Sequence, residues 1–254
     1  MQTTPELQKL QNFINESNKI VFFGGAGVST ESGVPDFRSK DGLYNQHDIQ
    51  FEKYQPEYLL SHSCLRDNPK VFFEYYRQKM DARHVKPNMA HQFLVKLEEA
   101  GKLSPILTQN IDGLHQKAGS KNVCELHGTT LRNYCSYCNK EYPEDYIFDS
   151  EDLIPTCACG GVIRPFVTLY EEALPEGAYD FAIDEIRNAD MLIIAGKRLM
   201  ENGETKKAHS QFKIAQKVID AFAEDFVEGR WFCATVYEHA SEQRKEIGAL
   251  LAER

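Results

Sequence analysis

An α/β fold with a mostly parallel sheet is predicted by three observations. Short apolar runs read as buried strands, helical patterns separate them, and a glycine-rich turn follows the first run directly. Residues 5–17 place Leu7, Leu10, Phe13 and Ile14 at helical spacing. Lys19–Phe23 (KIVFF) is an apolar run ending in Gly-Gly-Ala-Gly, and a helix-like stretch follows. Helical pattern returns over 68–80 and 90–100. Ser104–Leu107 reads as a strand leading into Gln109–Asp112. Residues 123–165 hold paired cysteines and several prolines, the mark of a small, loop-rich insert. Glu176–Asn188 reads as helix and Met191–Ala195 (MLIIA) as another buried strand. Beyond Gly196 the pattern changes: 204–225 and 233–253 are long charged segments with helical periodicity, VEGRW between them reads as a helix-ending turn, and no strand-like run is expected.

The bulk properties narrow the function classes. The chain has 254 residues, 42% hydrophobic and 26% charged, enough for a sizeable core. A net charge of −9 and a pI of about 5.4 argue against non-specific nucleic-acid binding, which needs clustered Lys and Arg. No apolar run approaches the ~20 residues of a membrane helix, and the N-terminus lacks a basic-then-apolar leader, so a cytoplasmic protein is expected. The seven cysteines are Cys64, Cys124, Cys135, Cys138, Cys157, Cys159 and Cys233, an odd count that does not suggest a disulfide framework.

Four segments carry chemistry. Gly24-Gly25-Ala26-Gly27-Val28-Ser29 lies between a strand and a helical pattern, where glycines let backbone approach a pyrophosphate. The spacing is not the G-x-G-x-x-G of dinucleotide sites, so taken alone it also fits a tight turn. Gln109, Asn110 and Asp112 set polar side chains past a strand end, where parallel sheets bind ligands, or where a simple turn would stand. His127 has the side chain most used as a general base, although a histidine taken alone is more often structural than catalytic. Cys135-x2-Cys138 and Cys157-x-Cys159 supply four thiols in two short pairs. Four thiolates close a tetrahedral zinc site and leave no open position, so the expected role is structural.

The string GAGVSTESGVPDFR (25–38), then QNIDGLH (109–115), ELHG (125–128) and the cysteine pairs together resemble the sirtuin family of NAD-dependent protein lysine deacetylases. The resemblance covers about residues 5–196 and implies a Rossmann-like sheet with a small zinc-binding module at 130–165. It implies NAD binding by Gly24, Gly25, Ala26, Gly27, Ser29, Asp36, Phe37, Arg38, Gln109, Asn110 and Asp112. It also implies catalysis by His127 with Asn110 and Asp112, and contact of Ile111, Val167 and Leu169 with an acetyl-lysine protein substrate. The stretch Ile163–Glu172 would pair with the peptide as an added strand. His91 and His115 are read as structural or surface residues, and Cys64, Cys124 and Cys233 as buried or inert. The expected products are free lysine, nicotinamide and O-acetyl-ADP-ribose, which makes the protein a transferase.

Departures from the family are local except at the end. Phe166 stands where the family has Asp, and Glu171 where it has Gly. Succinyl- and malonyl-selective members share a Tyr-x-x-Arg pair; at the matching place this chain has Phe73-Glu74-Tyr75-Tyr76, out of register, with Arg77 adjacent. Neutral acyl groups, acetyl first, are therefore expected, because the Arg fork is hard to replace. After MLIIA, Gly196-Lys197-Arg198-Leu199 replaces Gly-Thr-Ser-Leu, and 197–254 reads as an atypical, divergent helical tail on a 1–254 catalytic chain. A sheet without its last strands would expose an edge. Two rival readings follow: a mono-ADP-ribosyltransferase or NAD hydrolase on the same scaffold, or a catalytically impaired binding module.

Overall fold

The computed structural model describes residues 5–37, 39–46, 48–195 and 230–234. The chain runs through α1 (Pro5–Glu16), β1 (Ile20–Gly24), α2 (Pro56–Leu59), α3 (His62–Asp67), α4 (Pro69–Met80), α5 (Met89–Glu99), β2 (Leu103–Thr108) and α6 (Leu114–Ala118). It continues through β3 (Val123–Glu125), β4 (Gly128–Cys135), β5 (Glu141–Pro143), α7 (Asp145–Phe148), β6 (Ile163–Val167), α8 (Ala178–Arg187), β7 (Met191–Ala195) and β8 (Arg230–Ala234). The strands expected from apolar runs are all present, within a residue or so of their expected ends.

Five strands form one sheet in the order β3-β2-β1-β7-β8, and every neighbouring pair is parallel. This is the Rossmann-like α/β arrangement. Both faces of β1 are covered, which is why its residues form an unbroken apolar run. Val21 and Phe23 pack with Leu192, Ile194 and, from α8, Ile183 and Ile186. On the other face Ile20 and Phe22 pack with Ile193, with Ile14 of α1 and with Leu94 and Leu97 of α5.

Three expectations are corrected. The tail does contain a strand: Arg230–Ala234 pairs in register with β7, Met191 to Arg230 through Ala195 to Ala234. The segment Trp231-Phe232-Cys233 has strand-forming composition, but five residues beside Gly229 were too short to stand out from a turn. The expected bare edge on β7 is therefore covered, and the helical reading fails at 233–234. Residues 196–229 and 235–254, with the remaining helical expectation, lie outside the described residues. The second correction concerns the stretch after the glycine turn, which forms two 3-10 turns, Ala26–Val28 and Thr30–Ser32, instead of a regular helix. Local side-chain bonds compete there: Thr30 Oγ1 donates to Gly27 O at 2.9 Å and Ser29 Oγ to Asp112 at 2.6 Å.

The insert is a second, antiparallel sheet of order β5-β4-β6. Val123–Glu125, placed in the insert by sequence, is instead β3 of the main sheet, so the module runs from β4 to β6. Among the described residues β6 pairs with β4 alone, which leaves its other edge open. Between the two sheets α2, α3 and α4 build a third core in which Phe72, Phe73 and Tyr76 meet Ile147 and Ile163 of the module. Arg77 pins the same contact by donating to Ile147 O at 2.8 Å and Asp152 O at 2.7 Å.

Candidate active site

The carboxyl ends of β1, β2 and β3 open toward one cleft, and a loop leaves each strand there. Gln109 N donates to Gly24 O at 3.0 Å and Gly25 N to Ala195 O at 3.0 Å, so the loops are fastened where the strands end. Past β1 and β2 the side chains interlock. Ser29 Oγ donates to Asp112 Oδ2 at 2.6 Å, and Asn110 Nδ2 donates to Ser29 Oγ at 3.0 Å. Asp112 Oδ1 also accepts from Leu114 N at 3.0 Å. Ser29 and Asn110 are buried, at 1% and 8% exposure, and Asp112 is half-buried, so the triad fixes the two loops against each other.

His127 follows β3. Its Nδ1 lies 3.1 Å from Gln109 O, a geometry in which Nδ1–H donates to the carbonyl. That assignment leaves Nε2 as the basic nitrogen. The next residue, Gly128, has φ +74, and a Cβ there would collide with the Phe166 carbonyl. Thr168 N donates to His127 O at 2.9 Å, which ties the histidine to the segment after β6.

A cavity of about 520 Å³ joins these groups. Its polar wall includes Gln109, Asn110, Asp112 and His127, and its apolar wall Leu43, Leu60, Met80, Val85, Ile111, Val167 and Leu169. Ala26 and Phe37 of the glycine-loop segment line it, whereas Gly24, Gly25, Gly27, Ser29 and Asp36 do not. Asp36 instead accepts from Ser39 N at 2.8 Å, shaping the turn. Arg38 lies outside the described residues. Gln109 Nε2 is buried without a hydrogen-bond partner among the described residues. An orphaned amide in a cavity wall fits a polar ligand such as the nicotinamide end of NAD.

Sequence reasoning missed the wall made by α4 and Leu60, and Tyr170. The signal was available in part: Tyr76 and Met80 stand four apart on α4, and both line the cavity. His91 and His115, read as structural or surface residues, are not at the surface: they are 0% and 1% exposed, with rings 4.8 Å apart. Burial pushes the His115 imidazole down to about 3, with His91 adding to the effect, and burial lowers His91 too. Cys64 is fully buried and Cys124 half-buried, while the Cys233 side chain lies outside the description.

The strand edge beyond the cavity is held by charge. Arg164 grips Glu172 with two bonds of 2.6 and 2.8 Å, and Glu172 also accepts from Leu169 N at 2.9 Å. Burial would raise the Glu172 carboxyl, but these bonds win and hold it at about 2. Glu171 keeps a left-handed backbone, φ +76, where the family has Gly. Its carboxylate caps α3 through Ser63 N at 2.9 Å and Ser63 Oγ at 2.7 Å. Phe166, in place of the family's Asp, carries the Arg132 guanidinium over its ring at 4.1 Å.

The four cysteines meet at the far end of the module. The Sγ atoms of Cys135, Cys138, Cys157 and Cys159 all lie within 4.8 Å of one another. Cys135–Cys159 and Cys138–Cys157 are 3.4 and 3.7 Å apart. A zinc tetrahedron with Zn–S of about 2.3 Å has edges of about 3.8 Å, so the set fits the metal. Cys157 is pulled down to about 6 by the Cys159 backbone N–H and by the Tyr142 hydroxyl, 3.0 Å away. A Cβ on Gly161 would stand 2.6 Å from Cys135 Sγ, so only glycine fits beside the cluster. The tetrad is positioned to bind structural zinc.

Comparison with known proteins agrees with this arrangement. The Sir2 family model matches residues 25–200. A protein of Clostridium perfringens named NAD-dependent protein deacetylase is 54% identical over 77% of this chain and 79% of its own. A protein of the same name from Clostridium tetani is 50% identical over 76% of this chain and 78% of its own. Among solved structures, a Sir2 complex with a deacetylated p53 peptide and 3'-O-acetyl ADP-ribose has a TM-score of 0.76 at 30% identity, covering 92% of this chain and 88% of that one. A Sir2 bound to acetylated peptide gives 0.74 at 30% identity, over 93% and 89%. With the family model spanning more than half of its length, this chain belongs to the Sir2 family.

Proposed function

We infer that the protein is an NAD-dependent protein lysine deacetylase whose proton chemistry centres on His127. One observation carries this reading. His127 has Nδ1 committed to Gln109 O, and it shares a cavity wall with Gln109, Asn110 and Asp112, opposite apolar residues. A base beside polar groups, facing an apolar slot, suits an acyl-lysine and a ribose brought together.

Bound NAD supplies an activated ribose carbon with nicotinamide as leaving group. The chain's residues do the rest. The orphaned Gln109 amide, with Asn110 and Asp112, orients the nicotinamide end, and the Gly24–Arg38 segment holds the remainder. Ile111, Val167 and Leu169 exclude water around the acyl chain, and the open edge of β6 takes the peptide backbone as an added strand. His127 Nε2 accepts a ribose hydroxyl proton, while the Nδ1 bond to Gln109 O keeps the ring in the required tautomer. With one water consumed, the acyl group passes from the lysine nitrogen to a ribose oxygen, leaving free lysine, nicotinamide and O-acetyl-ADP-ribose, so the reaction is a transfer. Zinc shapes the module, read as 130–165, and activates no water.

Neutral acyl groups fit best. Arg77, the nearest candidate for a carboxylate fork, is spent on carbonyls of the module. Lys79 does line the cavity, but it is paired with Asp48 at 2.5 Å and Gln46 at 2.9 Å. Among the described residues no helix is long and apolar enough to cross a membrane, and the composition supports a cytoplasmic setting. The pairing of β8 with β7 argues against the impaired-module reading, since β7 is not left as the bare edge of the sheet.

The test incubates the protein with NAD and an acetyl-lysine peptide and follows both by mass spectrometry. Loss of acetyl with matching nicotinamide release supports the reading. An ADP-ribosyl adduct on the peptide, or NAD consumption independent of peptide, sinks it in favour of the transferase or hydrolase.

A further inference from the structure

Tyr44 and Tyr170 join the two sides of the cleft. Tyr44 lies in the 3-10 turn Leu43–Asn45. Its N–H donates to Phe37 O at 3.0 Å, and its ring packs on Phe37 with centroids 5.5 Å apart. Its hydroxyl is hydrogen-bonded to the Tyr170 hydroxyl. Tyr170 follows Leu169, which is 3% exposed in the acyl wall. The backbone of Tyr170 is clamped on both sides: its N–H donates to Leu60 O and its carbonyl accepts from His62 N, each at 3.0 Å.

The pair stands where two cavities meet. Phe37 and Tyr170 line the larger one, Tyr44 lines a neighbouring cavity of about 250 Å³, and Leu43 lines both. One hydrogen bond therefore spans from the segment after β6, which lines the acyl slot, to the aromatic prop of the cofactor segment. The Tyr170 end is rigid, because Glu172 beside it is held by Arg164 and Glu171 by Ser63.

We propose that the Tyr44–Tyr170 hydroxyl pair is a positioning latch that couples acyl-peptide binding to NAD binding. When an acyl-lysine fills the slot it packs on the Leu169 and Tyr170 side chains, whose backbone is already anchored, and fixes their orientation. The Tyr170 hydroxyl then holds Tyr44, and Tyr44 holds Phe37 against the cofactor. Coupling of this kind is reciprocal, so NAD tightens peptide binding by the same factor. Neither tyrosine touches reacting atoms; both act through Phe37 and Leu169. The proposal rests on the deacetylase reading.

The experiment measures the affinity of carba-NAD, whose ribosyl bond does not cleave, by calorimetry with and without saturating acetyl-lysine peptide. The wild type, Tyr44→Phe, Tyr170→Phe and the double variant are compared. Each substitution removes one oxygen and keeps the ring, and thermal melting confirms folding. The wild type is expected to bind carba-NAD more tightly with peptide present. A neutral hydrogen bond of ordinary strength predicts that each single variant reduces this enhancement about two- to tenfold. The double variant loses no more than either single one, because the same bond is removed. A variant that keeps the wild-type enhancement, or a wild type with none, overturns the latch. If the wild type also fails to deacetylate the peptide, the functional reading falls with it; if it deacetylates normally, the latch alone falls.

Discussion

The parallel sheet and the zinc module meet at one cleft, but they are held by different means. β1 and β7 bury side chains on both faces, and their loops are fastened by backbone bonds such as Gln109 N to Gly24 O. Within 128–167 the buried apolar side chains are Ile147, Ile163, Pro155 and Pro165, with Cys135 and Cys157 beside them. So few make no core of their own, and the module leans on α4 and on four sulfurs. The difference predicts where the molecule fails first. A sheet with its own core tolerates loss of a contact, whereas a module closed by metal does not.

The largest effect therefore comes from the metal. Structural zinc contributes about 10–16 kcal/mol of binding free energy to such sites at neutral pH. Chelation, or Cys135→Ala, is expected to release the module and abolish deacetylation. In hydrogen exchange, amides of 128–167 should lose protection while those of β1 and β7 keep theirs. If β1 and β7 open at the same rate as the module, the two regions form one cooperative unit and the contrast fails.

The next effect separates chemistry from architecture. His127→Ala removes a side chain that the cavity wall displays and the sheet core does not need. Turnover should fall about 100- to 10,000-fold, the usual contribution of a general base. Thermal melting should move little. A loss below tenfold would mean that another group takes the ribose proton.

The same contrast explains what the sequence made legible. Runs such as KIVFF and MLIIA exist because both faces of those strands are covered, so composition alone finds them. The cysteine pairs were readable because thiolate ligands need short spacing. Hidden features depend on contacts far apart in the chain. Tyr170 pairs with Tyr44 across 126 positions, and β8 is recognisable only by its register against β7. The Ser29–Asn110–Asp112 triad was present as residue types, but its hydrogen bonds cross 83 and 81 positions.

A third test asks whether the sheet side has a weakness of its own, and acid is the means. A histidine lowered on folding binds fewer protons folded than unfolded. Its stabilising effect is complete above the ordinary value near ~6.5 and is lost as pH falls toward the folded value. For His115 that window runs from about 6.5 down to about 3, with His91 acting in the same direction. The loss from His115 should reach about 2 kcal/mol by pH 5. Glu172 is lowered as well, but a depressed carboxylate matters only below ~4.3, so it is silent between pH 7 and 5. Urea unfolding at pH 7 and pH 5 reads the difference, and His115→Leu should shrink it. Equal losses in wild type and variant would move the acid weakness elsewhere.

The smallest effect probes the seam between the regions. Glu171 holds φ +76 without being glycine, and its carboxylate caps α3 at Ser63. Two substitutions separate these opposing terms. Glu171→Ala keeps the strained backbone and loses the cap; Glu171→Gly loses the cap and relieves the backbone. Glycine should therefore melt above alanine by about 2–4 °C, the shift that a modest strain gives in a chain of this size. Wild type should lie between them or level with glycine, since cap and strain offset each other. An alanine variant as stable as glycine would show that the left-handed backbone carries no strain at this position. The Glu171–Ser63 bond would then be the sole reason this chain departs from the family's glycine.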